Sequence, residues 1–149
     1  MYDSKEDTKN HIMQVRVFTD RLAEAIIDRG CYHDFSKLRE PEKSIFDKFT
    51  PKLAETTYGS SEYKEYLSEM KVPLDHHYTE NRHHPEHHNQ GIRGMNLVDL
   101  VEMLCDWKAA TMRHNDGDIM QSIEFNQKRF GYDDDIKHLM INTVNDYLK

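Results

Sequence analysis

The sequence lacks the features that mark several common protein classes. It contains only two cysteines among 149 residues, and no apolar run approaches the roughly 18 residues of a membrane span. No lysine- or arginine-rich run is present, and the net charge is -7. We therefore expect neither a disulfide framework nor a membrane protein, and duplex nucleic acid is excluded as the main partner. A small anionic substrate could still bind to a chain of this net charge if positively charged groups lie at its binding site.

The apolar content is also low, at 37% against 32% charged residues. The length predicts one domain over residues 1–149, but with a thin core. A homodimer is compatible with this composition, because a second copy of the chain would cover apolar surface. Since the initial segment "MYDSKEDTKN" has no apolar signal stretch, we expect a cytoplasmic protein. Cys31 and Cys105 are then expected to be thiols.

Apolar residues recur at helical spacing, and no segment alternates like a β-strand. The predicted fold class is all-α, a compact bundle of about six helices. A capping box in "SKED" at 4–7 predicts the start of a first helix that ends at Gly30, with an apolar stripe that we expect to be buried. The stripe comprises Val15, Phe18, Leu22 and Ile26, and His11 lies on it. Further helices are predicted from near Pro41, from Ser60 or Ser61, over 74–84, from Asn96, and, after "NDGD", near 118–130 and over 134–148; 50–59 and 85–95 are predicted loops.

Histidine is the residue that the sequence has in excess. Six of the ten histidines fall within "LDHHYTENRHHPEHH", residues 74–88. His77 and His84 are seven residues apart and would share a face if one helix continued through both, so we predict that they bind metal. His83 is the second choice, and the remaining three are expected to face water or to support the ligands. The alternative is a titrating surface patch.

The segment "CYHDFSKL" contains a second unusual pattern, the adjacent pair His33 and Asp34 just past the first helix. Such a pair can turn inward onto one cation, with the carboxylate as an anionic, bridging ligand. His11 and Asp106, from two other helices, could join them. The alternatives are a surface dipeptide and a hydrogen-bonded core histidine.

One face of the late helix "LVDLVEMLCDWKAATMRH" is polar. Asp99, Glu102, Asp106 and Arg113 share this face, and its flanks are Met103, Ala109 and Ala110 rather than long polar residues. This pattern favours a polar stripe that faces a pocket, with a solvated helix face as the alternative.

The order of His11, the pair at 33 and 34, and Asp106 resembles the H...HD...D signature of the HD-domain superfamily of metal-dependent phosphohydrolases. "HDFSKL" resembles the "HDxGK" segment of the HD-GYP branch, and "HHYTEN" is similar to its "HHExxDG". The chain departs from that branch, because residues 35–75 contain no histidine and Ser36 replaces the glycine. These departures argue against a cyclic-dinucleotide phosphodiesterase.

A closer resemblance, over about residues 8–130, is to a family of small phage and bacterial proteins known as a domain of unknown function. Its members show a similar "HD-S-K" segment and an "H-x3-N-x-HHPE" block. A phage origin would place the protein in the host cytoplasm. The matching residues of the block are His77, Asn81, His83, His84, Pro85 and Glu86.

The resemblance implies a metal-dependent phosphohydrolase that binds one or two divalent transition-metal ions (Mn, Fe, Co, Ni or Zn) and acts on a small, nucleotide-like phosphoester. Lys37 is three residues past Asp34 and is predicted to meet a phosphate, and Arg113 to bind a second phosphate oxygen, with an exposed cation as the alternative for each. Glu102 is predicted to orient the metal-bound water or to relay a proton. Asp34 itself is predicted to be both catalytic and a metal ligand. The first metal set is His11, His33, Asp34 and Asp106, with His77 and His84 completing a second.

Two other functions fit the same residues. One is a di-iron oxygenase, because the superfamily contains members that activate oxygen with a similar His/Asp cage. The other is a non-catalytic, metal-stabilised binding module, such as a phage protein that targets a host factor.

Overall fold

The computed structural model describes residues 2–57, 60–113 and 117–149, and all regular structure in these ranges is helical. The all-α prediction is confirmed, although the described ranges contain seven α-helices rather than about six. Short 3₁₀ turns cover Phe35–Leu38, Pro85–His87 and Gly91–Gly94. The helices are α1 (Lys5–Tyr32), α2 (Lys43–Ala54), α3 (Ser61–Glu69), α4 (Lys71–Glu80), α5 (Leu97–Thr111), α6 (Ile119–Phe130) and α7 (Asp134–Tyr147).

The chain divides into two compact units, Met1–His33 and Asp34–Lys149. That residues 1–149 form one domain stays a prediction. Among the described residues, no helix has the length and apolarity needed to cross a membrane. Both cysteines are exposed thiols.

The first unit is built on α1, which differs from its prediction in three respects. Its apolar stripe is exposed, although we expected it to be buried. Periodicity identifies the apolar face of a helix but does not show whether another element packs against that face. Ser4 makes no side-chain capping bond, so the predicted capping box does not form. The helix also passes Gly30 and ends at Tyr32, since glycine lowers helix propensity by only about 1 kcal/mol.

The second unit has its apolar core between α5, α6 and α7. The Tyr132 hydroxyl donates a hydrogen bond of 2.6 Å to the Ile123 carbonyl, which joins the connection between α6 and α7 to the middle of α6. Gly131 ends α6 in the left-handed conformation, with φ of 67°, where a side chain would be strained. The buried core residues are Leu100, Met103, Leu104, Ile119, Ile123, Tyr132, Met140 and Val144.

Side-chain caps confirm four of the predicted helix starts. A cap oxygen accepts a hydrogen bond from a backbone N–H in the first turn, which satisfies a donor that the helix leaves open. At α5 the bond is reciprocal, since Asp99 also accepts from the Asn96 N–H. The four caps are Ser60 on α3, Asn96 on α5, Asp118 on α6 and Asp133 on α7.

Several helix boundaries differ from their predictions. α2 begins at Lys43, after the cis Glu40–Pro41 peptide, and continues through Pro51, so residues 50–54 are helix rather than loop. Residues 58 and 59 of that predicted loop, and 115 and 116 of the "NDGD" connection, lie outside the described residues. The helix predicted over 74–84 ends at Glu80, and the loop predicted over 85–95 contains two 3₁₀ turns.

Core truncation should separate the packed side of the second unit from its surface. Ile123→Ala, at a side chain that is 0% exposed, should lower the free energy of unfolding by about 2–5 kcal/mol, because it leaves a cavity. Leu139→Ala on α7 is the matched control, since Leu139 is 50% exposed and should cost less than about 1 kcal/mol. Urea unfolding of both variants measures the difference, and equal losses would contradict this core.

Candidate metal centre

Four side chains of the second unit bring a ligand atom each to one point. Asp34, His77, His83 and His84 offer atoms that all lie within 4.8 Å of one another. Asp34 Oδ1 lies 3.3 Å from His77 Nε2 and 3.6 Å from His83 Nε2. The Nε2 atoms of His77 and His84 are 2.9 Å apart. His77 and His83 are buried and the other two partly buried, so the cluster is not a surface patch.

Asp34 reaches this point from an unusual backbone conformation. It has φ of 58° and lies in the left-handed region, where aspartate is among the side chains that are best tolerated. The chain then enters the 3₁₀ turn Phe35–Leu38, which brings Lys37 back over Asp34 because residues three apart eclipse in such a turn. Lys37 Nζ lies 2.6 Å from Asp34 Oδ2 and 5.0 Å from the centre of the Phe46 ring.

The two predicted ligands His77 and His84 meet because α4 ends between them, not because one helix carries both. Asn81 follows α4 in an extended conformation, and the next residues return toward His77. The Asn81 amide donates to the His77 carbonyl and to Ser36 Oγ, both at 2.8 Å. This pair of bonds ties the end of α4 to the turn that follows Asp34. Pro85 opens the next 3₁₀ turn and keeps His84 extended.

The loop that carries His83 and His84 is fixed to the start of α5. Arg82 binds the buried Asp99 with two bonds, Nε to Oδ1 at 3.2 Å and Nη2 to Oδ2 at 3.0 Å. His88 Nε2 lies 2.9 Å from the Arg82 carbonyl, and His87 Nδ1 lies 3.0 Å from the Tyr78 carbonyl. His88 therefore contacts the backbone of the loop itself, and His87 contacts the backbone of α4.

Buried carboxylates contact the outward nitrogens of the inner histidines. Glu42 Oε2 lies 2.9 Å from His77 Nδ1, and Glu42 Oε1 lies 2.7 Å from His76 Nδ1. Glu102 Oε1 lies 3.1 Å from His83 Nδ1. Sequence reasoning assigned Glu102 to a water molecule and missed Glu42, because a glutamate in "REPEKS" reads as part of a helix start. No local signal pairs it with histidines more than thirty residues away.

The surroundings keep two of the imidazoles neutral at pH 7. Burial lowers the pKa of His77, and the nearby charge of Lys37 lowers it further. Burial, together with the neighbouring His83 and His77, lowers the pKa of His84 to about 3. Neutral imidazole is the form that binds a metal ion, so the protein does not have to remove a proton from either ring before binding.

The remaining predicted site residues lie in three places. Asp106 is on α5, one turn after Glu102, with a ligand atom within 4.8 Å of one of His83. His11 is exposed on α1 and His33 is its C-cap residue, so both belong to the first unit and their roles as ligands stay predictions. Arg113 follows α5 and is exposed, and its contact with substrate also stays a prediction.

The donor set could hold a metal ion. Atoms about 2.1 Å from one ion are about 3.0 Å apart at right angles and about 3.4 Å apart at tetrahedral angles. The three separations measured here, 2.9, 3.3 and 3.6 Å, fall around those values. Mixed imidazole and carboxylate ligands suit Mn, Fe, Co, Ni or Zn, whereas Mg prefers oxygen ligands alone.

The Arg82–Asp99 pair should stabilise the folded site. Arg82→Ala leaves the buried Asp99 carboxylate without two charge-assisted bonds, so the free energy of unfolding should fall by about 1–2 kcal/mol. Arg93→Ala, at an exposed position in the Gly91–Gly94 turn, is the control and should change it by less than about 0.5 kcal/mol. Urea unfolding compares the two, and equal effects would mean that the pair does not hold the loop.

Comparison with known proteins places the chain in a family without assigning an activity. The model of a family described as "Family of unknown function (DUF5662)" matches residues 1–148. No curated protein and no solved structure matches the chain. Because the family match covers nearly the whole sequence, this protein belongs to the DUF5662 family of unknown function.

Proposed function

We propose that this protein is a metal-dependent phosphohydrolase that cleaves a nucleotide-like phosphoester. The observation that carries the proposal is the convergence of Asp34 Oδ1 with the Nε2 atoms of His77 and His83 at separations suited to one shared ion. The resemblance of "HD" at 33 and 34 and of Asp106 to the signature of a superfamily of metal-dependent phosphohydrolases supports phosphoester hydrolysis.

The residues that would hold the ion are Asp34, His77, His83 and His84, with Asp106 beside His83 as a further carboxylate. His83, the second choice from sequence, becomes a principal ligand. A divalent ion held there would supply Lewis-acid chemistry, which makes water a better nucleophile at neutral pH and polarises a phosphoryl oxygen. His11 and His33 remain candidates for additional ligands.

The other polar residues of the site act on the ligands and on the substrate. Lys37 holds Asp34 through Oδ2 and leaves Oδ1 directed at the imidazoles. Its ammonium group lies 2.6 Å from Asp34 Oδ2, where it can neutralise a phosphate oxygen. Glu102 acts on His83 rather than on water in this proposal. Arg113 is proposed as a second contact for phosphate.

Metal content tests the first half of the proposal. Protein purified without a histidine tag should contain or take up at least about one equivalent of a transition metal per chain. His84→Ala should weaken the affinity by about tenfold or more, because it removes a ligand. His138→Ala, an exposed histidine on α7, should leave the affinity unchanged. Elemental analysis and metal titration measure both, and uptake below about half an equivalent by the wild type would contradict the proposal.

Turnover of phosphate substrates tests the second half. Nucleoside mono- and triphosphates, cyclic nucleotides and dinucleotides would be assayed with Mn²⁺, Co²⁺, Ni²⁺ and Fe²⁺. Asp34→Ala should lose both metal and activity. Lys37→Met should keep its metal but lose about 10²-fold in kcat, because a cation that stabilises the transition state is removed. Lys43→Met, at an exposed lysine on α2, should retain wild-type kcat.

Three outcomes of this assay would contradict the proposed function. Activity in Asp34→Ala equal to wild type would contradict the proposed site. Two bound irons with turnover only in the presence of oxygen would indicate an oxygenase. Metal binding without turnover on the whole panel would indicate a metal-stabilised binding module.

A further inference from the structure

Of the two buried glutamates that contact the candidate metal ligands, Glu42 is the more deeply buried. Its side chain is 0% exposed, and its two oxygens face three donors. Oε1 lies 2.7 Å from His76 Nδ1, while Oε2 lies 2.9 Å from His77 Nδ1 and 3.0 Å from Ser36 Oγ. A buried carboxylate is costly unless it is hydrogen-bonded, and this one has partners on both oxygens.

The chemistry of the donors determines where the hydrogens lie. An ionised carboxylate only accepts, so each histidine nitrogen that faces Glu42 must carry the hydrogen of the bond. Asn81 Nδ2 is 3.0 Å from His77 Nδ1, but its two hydrogens are used by the His77 carbonyl and Ser36 Oγ. It therefore does not compete with Glu42 for that nitrogen.

A neutral imidazole carries one N–H, and in His77 a bond to an ionised Glu42 would place it at Nδ1. Its Nε2 is then left with a lone pair, which is the atom that lies 3.3 Å from Asp34 Oδ1 and 2.9 Å from His84 Nε2. The opposite tautomer would place a hydrogen on Nε2, where an ion would have to bind. The choice of tautomer thus decides whether His77 is a ligand.

We propose that Glu42 is a positioning residue of this centre: it fixes His77 in the Nδ1–H tautomer and directs Nε2 toward Asp34. The part of this inference that concerns metal affinity rests on the proposed function, whereas the tautomer is a property of the metal-free protein. His76 supplies the second donor and, at 39% side-chain exposure, lies at the edge of the site. With both oxygens bound, the Glu42 carboxylate cannot rotate away from His77 without losing a bond.

The tautomer can be measured directly on the full chain without metal. In ¹⁵N-labelled wild type, long-range proton–nitrogen NMR spectra should show the His77 hydrogen on Nδ1. Glu42→Met removes both acceptors while keeping a side chain of similar length, so His77 should become a mixture of tautomers. Glu40→Met is the matched control, because Glu40 is exposed and contacts Ser44 rather than a histidine. Its His77 spectrum should equal that of the wild type.

Titration with Co²⁺, followed by visible absorption, gives the second measurement. Glu42→Met should bind Co²⁺ about 10–100-fold more weakly than wild type, which is the usual effect of removing a carboxylate behind a histidine ligand. Glu40→Met should bind within about twofold. Circular dichroism and urea unfolding establish that the variants are folded.

The outcomes separate this inference from the proposed function. A wild-type His77 with its hydrogen on Nε2 overturns the role of Glu42, and this result needs no variant. Equal Co²⁺ affinity of wild type and Glu42→Met also overturns it. If the tautomer changes as expected while the wild type binds no Co²⁺, the role of Glu42 in fixing the ring is supported and the proposed function is contradicted.

Discussion

The packing of one carboxylate against three imidazoles is the constraint around which the polar contacts of the candidate site are arranged. Asp34 Oδ1 lies 3.3 Å from His77 Nε2 and 3.6 Å from His83 Nε2, and these atoms are electron-rich whenever the two nitrogens carry no hydrogen. Burial lowers the pKa of His77 and of His84, so protonation at neutral pH does not relieve the crowding. A shared divalent cation would turn these close contacts into favourable ones, so the arrangement could hold a metal ion.

Several features of the fold keep this crowded arrangement in place. The left-handed backbone of Asp34 and the 3₁₀ turn after it direct the carboxylate and bring Lys37 to its outer oxygen. The loop between α4 and α5 is held at one end by Asn81 and next to His83 by the bond between Arg82 and Asp99. Behind the rings, Glu42 and Glu102 contact the outward nitrogens. Buried acids of this kind are costly to desolvate, and their pairing with histidine or arginine offsets that cost.

Sequence patterns correctly predicted several features that depend on interactions between residues close together in the chain. The caps at Ser60 and Asn96 predicted the starts of α3 and α5, because a capping side chain acts within three residues. They were insufficient where distant segments meet. The spacing of His77 and His84 selected residues that do meet, but through a helix that ends at Glu80 rather than through a shared helical face. Glu42 could not be found in this way, since its partners are 34 and 35 residues away.

A diffraction experiment on crystals grown with Mn²⁺ or Co²⁺ tests the central claim most directly. Anomalous scattering locates the ion independently of the protein atoms. The account predicts a peak about 2.0–2.3 Å from Asp34 Oδ1 and from the Nε2 atoms of His77, His83 and His84. An ion bound instead at the His87 and His88 end of the loop, or no peak near Asp34 at saturating metal, would contradict it.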